Sequence, residues 1–417
     1  MIQRHTCENG LRIITEKIPS VRSVALGLWV GTGSKFETEK DNGISHFLEH
    51  MFFKGTTNRS AKEIAETFDE IGGNVNAFTS KEYTCYYARI LDQHAPIALD
   101  ILADMYFNSV FDGEELEKEK NVVIEEISMY EDTPDDLVHD LIARACYGDH
   151  SLGYSILGID DVLRSLSRDD LLHYIDGHYL PANTVVTVAG NFDDALIEDI
   201  KRRFSALDRR STLPDIKAPV FLGNTIAHHK ATEQAHLCIS LPGFPVGHED
   251  TYSLILLNNV LGGSMSSRLF QEIREERGLA YSVYSYHSSF KEAGTFTVYT
   301  GTAPEQVGQV FDIVAHVLRD VADHGITEKE LKKGKEQLKG SLMLSLESTN
   351  SRMSRLGKNE LLLGRHLSLD EIIAKIDRVS HESVHAVAQQ LFRSKLAMAM
   401  VSPLDGFPQN VKSDILL

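Results

Sequence analysis

Strand- and helix-forming segments recur in one order at an offset of about two hundred residues, and such a repeat confines the chain to two related domains. Residues 24–29 (VALGLW) predict a strand, 43–53 and 61–71 read as helical, and 83–91 (YTCYYARIL) predict a second strand. Helices are expected next over 95–107, 114–131 and 136–146. In the second half, 235–240 (AHLCIS) predicts a strand, 250–261 a helix and 294–300 (GTFTVYT) a strand. Helices are expected there over 304–323, 327–346 and 351–363. Glu115-Leu116 aligns with Glu330-Leu331, each pair opening a long charged helix. Between the halves, 208–223 is polar and holds Pro214 and Pro219, the marks of a linker. The expected division is 1–210, a linker over 211–223, and 224–417, two α+β domains each with a sheet covered by helices.

The chain of 417 residues carries 42 Lys+Arg against 60 Asp+Glu, a formal net charge of −18. Phosphate backbones need a basic footprint, so nucleic acid is a poor partner, whereas a basic peptide would be attracted. No stretch approaches the roughly 18 consecutive apolar residues of a membrane helix. The start, MIQRHTCENG, has no apolar signal core and does not resemble an organelle-targeting leader. Cys7, Cys85, Cys146 and Cys238 are far apart and form no CxxC pair, so a reducing cytoplasm is the expected compartment.

Residues 41–55 read DNGISHFLEHMFFKG. On a helix, Ile44, Leu48 and Met51 share one stripe that packs inward. His46 and His50 then sit one turn apart on roughly the opposite side, with Glu49 beside them. Two imidazoles at that spacing can grip one zinc ion, and a carboxylate that is not a ligand can take a proton from water. The order H-x-x-E-H inverts the common zinc-peptidase motif.

A catalytic zinc takes three protein ligands and keeps one open position. The acidic helix 114–131 offers Glu119, Glu125 and Glu126. Leu116, Val123, Ile127 and Tyr130 form its buried stripe. Glu119 and Glu126, seven apart, lie nearly in line at the edge of that stripe, while Glu125 points to solvent.

These residues resemble the pitrilysin family of zinc metallopeptidases over nearly the whole chain, most closely the processing-peptidase β subunits and their bacterial relatives. His46 to Thr56 (HFLEHMFFKGT) matches the family's metal helix, and Glu119 to Glu126 its E-x6-E signature. The resemblance implies two similar domains, each a mostly antiparallel sheet packed with helices. It implies one Zn2+ per chain on His46, His50 and Glu126, Glu49 as general base, and Glu119 as an acid that aids activity without binding metal. Residues 72–83 (GGNVNAFTSKEY) resemble the edge strand that pairs with substrate, with Asn76 and Ala77 contacting its backbone. Residues 269–281 (LFQEIREERGLAY) resemble the segment whose Arg274 and Tyr281 polarise the scissile carbonyl. Gly262 and Gly263 resemble a shortened glycine-rich loop. Asp136 and Asp140 fall where the resembled processing-peptidase β subunits carry acids that read an arginine near the cleavage site, so the resemblance implies some preference for basic peptides.

Leu257-Asn258-Asn259-Val260-Leu261 stands near where a second metal motif would fall, so one half is expected active and the other inactive. The implied reaction is zinc-dependent hydrolysis of extended peptides or unfolded precursor segments inside a chamber. Some relatives join four such domains, so a homodimer is the expected assembly. The rival readings are a catalytically silent scaffold of the same family and a zinc hydrolase acting on something other than peptides, the latter disfavoured by the segment that resembles a peptide-pairing strand.

Overall fold

The first sheet runs in the order β1-β2-β6-β3-β5-β4. Its strands are β1 (Ile2–Thr6), β2 (Arg12–Lys17), β3 (Ser23–Val30), β4 (Asn74–Thr79), β5 (Thr84–Leu91) and β6 (Thr184–Gly190). The second runs β7-β11-β8-β10-β9, from β7 (Thr225–His229), β8 (Ala235–Pro242), β9 (Ala280–Ser289), β10 (Gly294–Thr302) and β11 (Ala397–Ser402). The computed structural model describes residues 2–208 and 213–416, so 209–212, which overlap the expected linker, lie outside the described residues.

With β1 set aside, the two sheets have the same plan. β2 pairs parallel with β6 as β7 does with β11, and every other neighbour is antiparallel. The repeat in the sequence is thus a repeat of topology, and the sheets are mostly antiparallel as expected.

Side-chain alternation builds a core on each face of each sheet. In the first, Val24, Leu26, Leu28, Val186 and Val188 face a large core shared with the helices Ile44–Met51, Ala95–Asn108 and Gly113–Asp132. Ala25, Trp29, Val185 and Ala189 face the other way, against Met353 and Leu356 of the helix Thr349–Leu363. In the second, Leu237, Ile239, Phe296, Val298 and Met400 face the helices Thr251–Gly262, Val307–His324 and His381–Leu391. Cys238, Tyr299, Ala399 and Val401 face Val138, Ile142 and Cys146 of the helix Pro134–Tyr147.

The compact units are therefore not contiguous. One comprises 1–128, 155–216 and 344–366; the other comprises 129–154, 217–343 and 367–417. This departs from the expected division at 1–210 and 224–417. The helix over 134–147 belongs to the second unit and the helix over 349–363 to the first. Helical periodicity records that a face is buried but not which sheet buries it. No helix among the described residues is long and apolar enough to cross a membrane.

Candidate metal centre

The helix Ile44–Met51 is buried on more sides than its apolar stripe requires. Ile44, Phe47, Leu48 and Met51 enter the core, and Ser45 and His46 are buried as well. This corrects the expectation of a polar face opposite one inward stripe. The start of the helix is fixed from outside it. Gly43, at φ 101°, turns the chain into the helix. The buried Glu37 carboxylate accepts from Gly43 N (2.8 Å), Ser45 N (2.9 Å) and Asn42 Nδ2 (2.9 Å). A carboxylate on the free N–H groups of a first turn satisfies them and complements the helix dipole.

On the same helix His46 and His50 converge with Glu126 of the helix Gly113–Asp132. One ligand atom from each lies within 4.8 Å of the others. Glu126 Oε2 stands 3.7 Å from His46 Nε2 and 3.5 Å from His50 Nε2. Ligands about 2.0–2.2 Å from a tetrahedral ion stand roughly 3.3–3.6 Å apart, so the two carboxylate–imidazole separations are close to those a zinc ion would set. Among the described residues no other group of three such side chains converges in this way. Burial, and then the neighbouring His50, push His46 down to about 3, so its ring stays neutral and keeps a lone pair for a metal.

Glu119 Oε1 lies 2.8 Å from His50 Nδ1. A carboxylate on Nδ1–H fixes the tautomer that leaves Nε2 free, the usual support for a metal-bound histidine. Burial alone would lower His50, but Glu119, Glu126 and Glu49 override it and the pKa is raised. Lys54 Nζ stands 2.5 Å from Glu119 Oε2. Burial raises Glu119, and the His50 and Lys54 contacts more than reverse it, so Glu119 is held below the usual carboxylate range. The helical wheel selected Glu119 and Glu126, and both turn toward the histidines while Glu125 is exposed. Lys54 and Glu37 were not singled out in the sequence. Lys54 lies inside the matched metal motif, so its position was the available signal.

Glu49 accepts a hydrogen bond from Thr79 Oγ1 at 2.6 Å. Burial, partly offset by Thr79 and His50, raises its pKa. A carboxylate shifted upward is a better proton acceptor near neutral pH.

Asn76 and Ala77 lie on β4, the edge of the first sheet, opposite Tyr87 and Tyr86 of β5. The Asn76 side chain turns back to accept from Ala77 N at 2.8 Å. Arg274, Tyr281, Asp136 and Asp140 all belong to the second unit. The Arg274 guanidinium stacks between the rings of Phe270 (4.8 Å) and Tyr281 (4.7 Å), and Tyr281 is 78% exposed. Asp136 and Asp140 ride on the helix Pro134–Tyr147, where Asp136 is exposed and Asp140 half-buried. Gly262 closes the helix Thr251–Gly262, where a Cβ would stand 2.4 Å from Ser285 N; close packing against β9 explains it.

Comparison with known proteins follows this geometry. The model of the insulinase peptidases, peptidase family M16, matches residues 12–160, and that of the M16 inactive domain matches 165–338. The chain is 57% identical over 408 residues to the uncharacterized zinc protease YmxG of Bacillus subtilis, covering 98% of this chain and 100% of that relative. It is 42% identical to an uncharacterized zinc protease of Streptomyces coelicolor, covering 97% and 90%. The fold is shared with the crystal structure of a protease from Helicobacter pylori, at a TM-score of 0.90 and 22% identity over 97% of this chain and 99% of that one.

Proposed function

The chain belongs to peptidase family M16, and from that premise we propose that it is a zinc-dependent endopeptidase acting on extended peptides or unfolded precursor segments, within the enclosed chamber the resemblance implies. The observation that carries the reading is the convergence of His46, His50 and Glu126 within 4.8 Å, with Glu49 on the same helix turn. A silent scaffold would have no use for all of these together.

His46, His50 and Glu126 would hold one Zn2+ per chain, and Glu119 would orient His50. Zinc, when bound, supplies Lewis acidity that brings a water toward neutral pKa and polarises a carbonyl oxygen. Glu49 takes the proton of the attacking water on one carboxylate oxygen and hands it to the leaving nitrogen. Asn76 and Ala77 offer the open edge of β4 to the backbone of an extended peptide, which gives affinity without demanding a sequence. Arg274 and Tyr281 are proposed as donors to the substrate carbonyl, and Asp136 and Asp140 as acids that favour a basic side chain. A homodimer in the cytoplasm completes the proposal.

The test is mass-spectrometric mapping of cuts in a mixed peptide library, with and without chelator. Cuts that vanish with chelator and return with zinc are expected. No cut by the zinc-loaded chain sinks the peptidase reading and leaves the scaffold. Equal rates on peptides with and without arginine would remove Asp136 and Asp140 from it.

A further inference from the structure

We propose that Thr79 is the positioning residue of the general base, holding one oxygen of Glu49 so that the other is left to carry the proton. The inference rests on the peptidase reading above and adds a residue to it. Thr79 is the last residue of β4, paired with Thr84 of β5. Alternation along β4 puts Val75, Ala77 and Thr79 on the face toward the main core, and Phe78 on the other face against Trp29, with ring centroids 5.6 Å apart. Thr79 is therefore held under the helix Ile44–Met51 by strand pairing on one side and by the packing of its neighbours Ala77 and Phe78 on the other.

From that position its hydroxyl reaches Glu49 Oε2 at 2.6 Å, the length of a charge-assisted O–H···O⁻ bond. An ionised carboxylate offers only acceptors, so the hydroxyl donates, and the bond fixes the rotation of the carboxylate about its last torsion. Oε1 is then the oxygen available to a water. A free carboxylate samples a broad range about that torsion, and each misplaced orientation is unproductive.

The bond also ties chemistry to binding. Thr79 stands two residues beyond Ala77, on the edge strand proposed to receive the peptide. The base and the substrate's register are thereby set by one strand rather than by a loop, and rigid elements place reacting groups more accurately than loops do.

Steady-state kinetics of wild type, Thr79→Val and Thr79→Ser, each with its zinc content measured, test this. Thr79→Val keeps the shape and loses the donor. It is expected to bind one zinc per chain with KM within about twofold of wild type, and to lose roughly 10–100-fold in kcat. Thr79→Ser keeps the donor and is expected to stay within about threefold of wild type. A merely structural threonine would show the opposite pattern, with zinc or KM moving and serine giving no rescue. Should Thr79→Val fail to fold, Thr79→Ala carries the same expectation and the same contrary results. Wild-type kcat in the valine or alanine variant, or a serine variant as impaired as valine, overturns the proposal alone. A zinc-loaded wild type without turnover takes down the peptidase reading and this inference with it.

Discussion

Glu119 Oε1 lies 2.8 Å from His50 Nδ1, and the other oxygen of the same carboxylate stands 2.5 Å from Lys54 Nζ. One acid thus fixes the orientation of a metal-facing imidazole while its own charge is matched by a lysine four residues beyond that imidazole. Glu119→Gln removes the charge and leaves one acceptor for two donors. Zinc affinity is expected to fall on the order of 10–100-fold, with the far-ultraviolet dichroism unchanged. Competition against a chelating dye measures it, and an affinity equal to wild type contradicts the role.

Gly357 tests how the first sheet is closed. It sits within the helix Thr349–Leu363, where a Cβ would stand 2.2 Å from Trp29 Cε2. Propensity alone favours alanine over glycine in a helix by about 1 kcal/mol. Steric overlap with a fully buried indole costs about 1–3 kcal/mol and reverses that gain. Gly357→Ala is therefore expected to lower the urea midpoint. Trp29 is the chain's one tryptophan, so its emission reports the transition directly. A midpoint at or above wild type would show that the helix lifts away freely.

Glu330 gives the second unit an acid-sensitive support. Arg268 grips it with Nε at 2.7 Å and Nη2 at 2.8 Å, and Thr327 donates from N and Oγ1. Burial raises the carboxyl, but Arg268 and Thr327 outweigh burial and hold it at about 2 against an ordinary value of 4.5. The folded state binds this proton less readily than the unfolded chain does. The contribution, about 2 kcal/mol after allowing for solvent screening, is complete above pH 4.5 and fades as pH falls toward 2. Glu330→Gln should lose that stability at neutral pH and flatten its slope in this window, as urea titrations across pH would show. A parallel wild-type slope contradicts the assignment.

The strands legible in the sequence are those buried for most of their length, which read as runs of apolar and β-branched residues. Strands expected at 24–29, 83–91, 235–240 and 294–300 are observed as Ser23–Val30, Thr84–Leu91, Ala235–Pro242 and Gly294–Thr302. The edges Ile2–Thr6 and Thr225–His229 carry no such signal, since none of their residues is buried. The metal helix was found through side-chain identity, for its burial follows no simple face. The contacts of Glu37, Thr79 and Lys54 are relations between segments, and spacing along one helix cannot display them. The same reason hides the helix over 134–147 from assignment to its sheet.

The central claim is that one zinc ion is held jointly by His46, His50 and Glu126, and anomalous diffraction across the zinc edge on crystals of the zinc-loaded chain tests it most directly. The account predicts one peak per chain, about 2.0–2.2 Å from His46 Nε2, His50 Nε2 and a Glu126 oxygen. A peak that leaves Glu126 out of bonding range, or zinc located only elsewhere, would contradict it.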